Sequence, residues 1–129
     1  MKAASVPKLA NTEFRNITEL FRRLINDSNF NVVIWTLKIA GVMAKGLRKY
    51  YASAARAQFF NIIGKFREKR TQMVEETFNT LGEFGHCISL EDVLEDVKEA
   101  LGDKAPNMRV NVLNWIGKHI DQKAEEKGG

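Results

Sequence analysis

A single cysteine, Cys87, stands in the 129 residues, so no internal disulfide can staple the chain and its fold must rest on packing. Only two prolines occur and β-branched residues rarely cluster, a composition that favours helix over sheet. The longest unbroken apolar run, Val32–Trp35, is too short to span a bilayer. The N-terminal MKAASVPKL lacks the apolar segment of a secretory signal, so a soluble, cytoplasmic protein with no membrane partner is expected. Signatures of catalysis are missing too. His86 and Cys87 are adjacent, but no second histidine or acid stands at a recognisable spacing from them, and His119 is alone. Glu91 and Glu95 read as an ordinary solvated i, i+4 pair. There is no Gly-rich phosphate loop and no Cys/His set with zinc spacing. The expectation is a non-enzymatic protein without cofactor or metal.

What the chain has is a repeat. Residues 31–41 read NVVIWTLKIAG, residues 72–82 QMVEETFNTLG and residues 107–117 NMRVNVLNWIG. In register, Val32, Met73 and Met108 share a column, as do Leu37, Phe78 and Leu113, and Ala40, Leu81 and Ile116. Each block closes on a glycine: Gly41, Gly82 and Gly117. The offsets of 41 and 35 residues fall in the range of helical solenoids, and the column spacing puts these apolar groups on one helical face. A turn precedes each block, and before each turn lies a further amphipathic stretch whose last apolar residues also align: Phe21 and Ile25, Ile62 and Phe66, Val97 and Leu101. An acid occupies the same turn column each time: Asp27, Glu68, Asp103.

The unit is therefore helix, short turn, helix. The predicted fold is all-α, an α-solenoid of three HEAT-like helix-turn-helix repeats with about six helices. Residues 1–11 read as a flexible or capping leader, 12–122 as the repeat domain and 123–129 as a disordered tail. The first helix is expected over Thr12–Asn26 and the second over about Phe30–Ala44, with Gly46 near its end. Thr71 and Ser89 are expected as N-caps, and Pro106 as the first residue of the last helix. Three repeats expose apolar ends, so either residues 1–11 or the C-terminal tail folds over one end, or the chain self-associates through it.

Charge is unevenly placed. Residues 1–70 hold 14 Lys/Arg and 4 Asp/Glu, net +10, while residues 71–129 hold 6 and 12, net −6. A basic half suits an acidic partner. The cluster Gly46-Leu47-Arg48-Lys49-Tyr50-Tyr51 is basic and aromatic, but it lies in an inter-repeat loop, and a net charge of +4 gives little drive for nucleic acid. No specific nucleic-acid partner is expected. Trp115 reads as core. Trp35, in a column shared with Glu76 and Asn111, reads as packing against the leading helix or as an exposed interface aromatic. Phe30 reads as a core staple or an interface anchor.

The three intra-repeat turns are the candidate site, because stacked repeats line them along one edge and loops on a rigid scaffold commonly bind. Lys69 and Arg70 stand on the second turn, and Lys104, Asn107 and Arg109 on or just after the third. Asn29 and Asn31 add uncharged donors on the first. Such a row suits carboxylates on an acidic protein surface.

The run from Val42 to Thr71, with GLRKYY and then FFNIIGKFREKRTQMVEE, resembles the middle of a TOG domain. This is the HEAT-repeat, tubulin-binding module of the ch-TOG type of microtubule polymerase, shared by the CLASP proteins. DKAPNMRVNVLNWIG is similar to a later TOG repeat, and the resemblance covers roughly residues 18–120. A TOG domain has six repeats; this chain resembles the third to fifth, about half. By resemblance, the turn edge is the tubulin face. Lys69 and Arg70 match the fourth turn, Lys104 and Arg109 the fifth, and Asn29 and Asn31 the third. The implied partner is αβ-tubulin or the microtubule plus end, at microtubules, spindle or centrosome, with GTP belonging to tubulin. The alternative is a generic HEAT scaffold for a non-tubulin protein, acting through Trp35 or the acidic helix 89–101.

Overall fold

The computed structural model describes residues 16–128; the expected leader, residues 1–11, lies outside them. Helix α1 covers 16–24, and α2 (Phe30–Leu47), α3 (Ala52–Ile63), α4 (Thr71–Phe84), α5 (Leu94–Leu101) and α6 (Pro106–Gly128) follow. Short 3₁₀ turns sit at Arg48–Tyr51, Gly64–Arg67 and Glu91–Val93. No strand occurs among the described residues. The pairs α1/α2, α3/α4 and α5/α6 are the expected repeats, with α2, α4 and α6 stacked in one layer and the other three in a second.

The columns found in the sequence explain the stacking. Leu37 and Leu81 are fully buried, and Met73, Met108 and Ala40 nearly so. α2 lies against α4 closely: a Cβ built on Gly41 would stand 3.5 Å from the Thr80 Cα. Thr80 Oγ1 donates to the Leu37 carbonyl at 2.7 Å, and Lys38 pairs with Glu76 at 3.2 Å. In the other layer, Tyr51 donates to Gln58 Oε1 at 3.0 Å and Gln58 donates to Thr18 Oγ1 at 3.5 Å, tying α3 to α1. Trp115 is core, with its ring 5.4 Å from that of Phe59. The segment Phe30–Arg67 is apolar enough to pass for a membrane span. In the fold seven of the eighteen α2 residues are buried in the core, while Trp35, Ile39 and Val42 on the same helix stay exposed.

Several local expectations are corrected. Leu113 shares the Leu37 column but is 57% exposed, because none of the described helices packs over that face of α6. Thr71 is the first helical residue of α4 rather than its cap; Arg70, with extended backbone, holds that position without a side-chain bond. Ser89 does not cap α5 either, since the 3₁₀ turn Glu91–Val93 intervenes; its N–H instead donates to Asp92 Oδ2 at 2.9 Å. α2 runs past the expected Ala44 to Leu47, with Gly46 near its end as expected, and its C-cap is Arg48 with φ 49° and ψ −121°. Residues 123–128, expected to be disordered, continue α6, where Glu126 lies 3.3 Å from His86 Nδ1.

Arg48 sits where only glycine is at ease, because a Cβ there crowds the backbone. Arg48→Gly is therefore expected to stabilise the protein by about 0.5–1 kcal/mol, the relieved strain exceeding the added flexibility of the unfolded chain. A shift of the urea midpoint at constant slope would measure it.

Candidate functional site

Each intra-repeat turn is built by short-range polar chemistry. In the first, the Asn29 N–H donates to Asp27 Oδ1 at 2.7 Å. Asn29 Oδ1 then accepts from the N–H groups of Asn31 and Val32, at 2.9 and 3.4 Å, and caps α2. That satisfies two amides the helix leaves unpaired. The third turn repeats the device, with the Ala105 N–H donating to Asp103 Oδ1 at 2.9 Å. The recurring acid of the turn column is thus structural in both of these turns.

Contacts between the turns hold them side by side. The Arg70 guanidinium lies 4.5 Å from the centre of the Phe30 ring, linking the second turn to the first. Arg67 Nε donates to Asp103 Oδ2 at 2.7 Å, linking the second to the third. Asn111 adds a bond from α6 to the Phe66 carbonyl at 3.1 Å. Phe30 is half-buried against the core with a cation on its face, which agrees with its reading as a core staple.

All seven residues singled out from the sequence are exposed: Asn29, Asn31, Lys69, Arg70, Lys104, Asn107 and Arg109. They lie on or beside these adjoining turns, so the fold brings them to one edge. Lys69 and Lys104 form no ion pair among the described residues. Arg109 uses Nη1 to donate to the Asp103 carbonyl at 2.8 Å, which fixes its side chain and leaves its other N–H groups to donate. Arg70 is held by the aromatic face beneath it, which leaves the in-plane donors of its guanidinium for a carboxylate. Asn29 keeps only its Nδ2 for a partner, since its oxygen caps the helix.

Arg67 was not among the sequence candidates. Its 36-residue separation from Asp103 is close to the 35-residue repeat offset, and that near-match was the available signal for a contact between successive turns. The Asp103 carboxyl is held below the usual carboxylate range, first by the Ala105 N–H and then by Arg67. With its folded value below the unfolded one, its stabilisation is complete above the ordinary carboxylate range and fades as pH falls through the folded value. Asp103→Asn keeps the acceptor for Ala105 and loses the ion pair. It is expected to lower the melting temperature at neutral pH, with the difference closing as acid protonates the parent carboxyl; thermal melts at stepped pH would show both.

Elsewhere the titratable groups are structural. Burial pushes the Cys87 thiol up to about 11, and its Sγ donates to the Ala44 carbonyl at 3.6 Å. His119 is buried against Trp115, with ring centres 5.1 Å apart; burial first, then Lys123, lowers its pKa. His86 lies between Glu83 and Glu126, at 3.7 and 3.3 Å, and joins the end of α6 to α4. No group of three or more His, Cys, Asp or Glu suited to a metal occurs among the described residues.

Comparison with known proteins supplies the lineage. No family model matches. Protein MOR1 of rice (Oryza sativa subsp. japonica) is 35% identical over 117 residues, and that of Arabidopsis thaliana 33% over 118, each match covering 89% of this chain. Protein mini spindles of Drosophila melanogaster is 28% identical over 88% of the chain. The chain spans only 6% of the length of each of these relatives. A solved chain from work on microtubule plus end tracking by XMAP215, CLIP-170 and EB1 superposes with a TM-score of 0.76 at 22% identity. That match covers 88% of this chain and 52% of the other. The chain is homologous to a segment of the MOR1 and mini spindles proteins, and its fold is a HEAT-like helical solenoid that superposes on about half of the solved chain.

Proposed function

We propose that this chain binds αβ-tubulin through the edge formed by its three intra-repeat turns, and that it acts by binding rather than by chemistry. The observation that carries the reading is the cationic row on that edge, with Arg70 seated over the Phe30 ring and Arg109 anchored to Asp103. Side chains already fixed before binding lose less freedom when they meet a carboxylate. Lys69 and Lys104 add point charges that steer an acidic surface toward the edge. Asn29, Asn31 and Asn107 supply neutral donors beside them.

The names of several relatives agree with such a role: mini spindles, a centrosomal protein of Dictyostelium discoideum, and a spindle pole body component of Schizosaccharomyces pombe. On this reading the chain works in the cytoplasm at microtubules or the spindle, where a rigid edge holding tubulin influences microtubule growth. The nucleotide of the complex is tubulin's own.

Gel filtration with αβ-tubulin at low salt tests the proposal. The chain is expected to co-elute with tubulin, and Arg70→Ala/Arg109→Ala is expected to elute apart while remaining helical by circular dichroism. Equal co-elution of both proteins would put the interface on another surface, such as the outer face of α5, and would overturn the assignment of the edge.

A further inference from the structure

The 40 residues between Asp27 and Glu68 hold no Asp or Glu and seven Lys or Arg. Two of these cations pair with later elements, Lys38 with Glu76 and Arg67 with Asp103, and Lys65 stands just before the second turn. The other four, Lys45, Arg48, Lys49 and Arg56, gather where α2 passes into α3. All four are exposed, and no carboxylate among the described residues pairs with any of them. At the matching end of α4, Glu83 pairs instead with His86.

Folding does not account for this cluster. The C-terminal end of α2 carries the equivalent of about half a negative charge, which Lys45 in its last turn suits alone. Arg48 has a backbone, at φ 49° and ψ −121°, that glycine adopts at less cost. Strain of this kind persists where a particular side chain is needed. Beside it the Tyr50 ring is 49% exposed, with the Lys49 ammonium 5.7 Å from its centre.

We infer that the α2–α3 junction is a second binding surface, and that its partner is an acidic, extended polypeptide segment. Carboxylates of the segment meet Lys49 and the guanidinium forks of Arg48 and Arg56, and an apolar or aromatic side chain packs on Tyr50. The charge map favours a short segment over a nucleic acid. Residues 71–129 carry net −6, so a long polyanion leaving the junction would run onto a repelling half. The 18 residues of α2 set this surface about 27 Å from the turn edge, far enough for each to be occupied independently.

Fluorescence anisotropy with a labelled Glu-rich peptide bearing one central phenylalanine tests the inference. The chain is expected to bind it, and Lys49→Glu/Arg56→Glu to bind about tenfold more weakly with unchanged circular dichroism. Arg48→Gly, expected to stabilise the fold, is also expected to weaken binding, which separates a lost contact from lost structure. Tyr50→Ala is expected to weaken binding of this peptide but not of one with alanine in place of the phenylalanine. Arg70→Glu/Arg109→Glu, more than a Debye length away, is expected to bind as the parent does. No binding by the parent would overturn the inference, as would an equal loss in the turn-edge variant. Tighter binding of a single-stranded oligonucleotide of the same charge would overturn it too.

Discussion

Trp115→Ala is expected to cost about 3–5 kcal/mol of folding stability, the usual loss for an aromatic side chain deleted from a packed core. Trp115 is 2% exposed and lies between the Phe59 ring at 5.4 Å and the His119 ring at 5.1 Å, so it joins the α3/α4 repeat to the α5/α6 repeat. Its ring neighbours lie on α3 and on α6 itself, and packed helices cannot close in fully to fill the space it leaves. Domains of this size are stable by only about 5–15 kcal/mol, so the variant is expected to be extensively destabilised and to lose the cooperativity between repeats. Urea unfolding followed by circular dichroism would measure the change. Trp115→Phe, which keeps an aromatic contact with Phe59, is expected to cost clearly less. Equal costs for the two would mean that ring packing at this junction is not what holds the repeats together.

Reversing charge on the turn edge is expected to have the largest effect on binding. Arg70→Glu and Arg109→Glu together should weaken the affinity for tubulin on the order of a hundredfold, since each replaces an attraction with a like-charge repulsion. The fold should survive, because both residues are exposed. What the protein itself loses is the contact of Arg70 with Phe30, worth about 0.5–1 kcal/mol at an exposed site, and the anchoring bond of Arg109 to Asp103. The effect should shrink as salt is raised, because exposed charges are screened. Titration of labelled tubulin at two ionic strengths would separate this from a folding defect, which salt would not repair in the same way.

The repeat made the fold legible. Three glycine-terminated blocks with matching apolar columns imply three stacked pairs, and the turn edge follows from the stacking alone. Contacts that depend on how the turns meet were not legible, and Arg67 with Asp103 is the clearest case. Its partners are distant in sequence, and either could have faced water. Gly46 does lie near the end of α2, but the positive φ falls on Arg48, which nothing in the sequence marks. The tail misled through its polarity: Lys123 to Lys127 are mostly good helix formers, and their order is supported from outside the segment by the contact of Glu126 with His86. Leu113 and Trp35 look alike in composition to core residues, and only their positions at the two ends of the stack expose them.

The most direct test of the central claim is site-specific photocrosslinking to αβ-tubulin, which captures short-lived contacts as well as tight ones. A photoreactive side chain at Lys104, on the turn edge, is expected to crosslink tubulin, whereas one at Glu95, on the exposed face of α5, is expected to leave it unlabelled. Crosslinking from position 95 and none from position 104 would contradict the account and move the interface to the acidic helix.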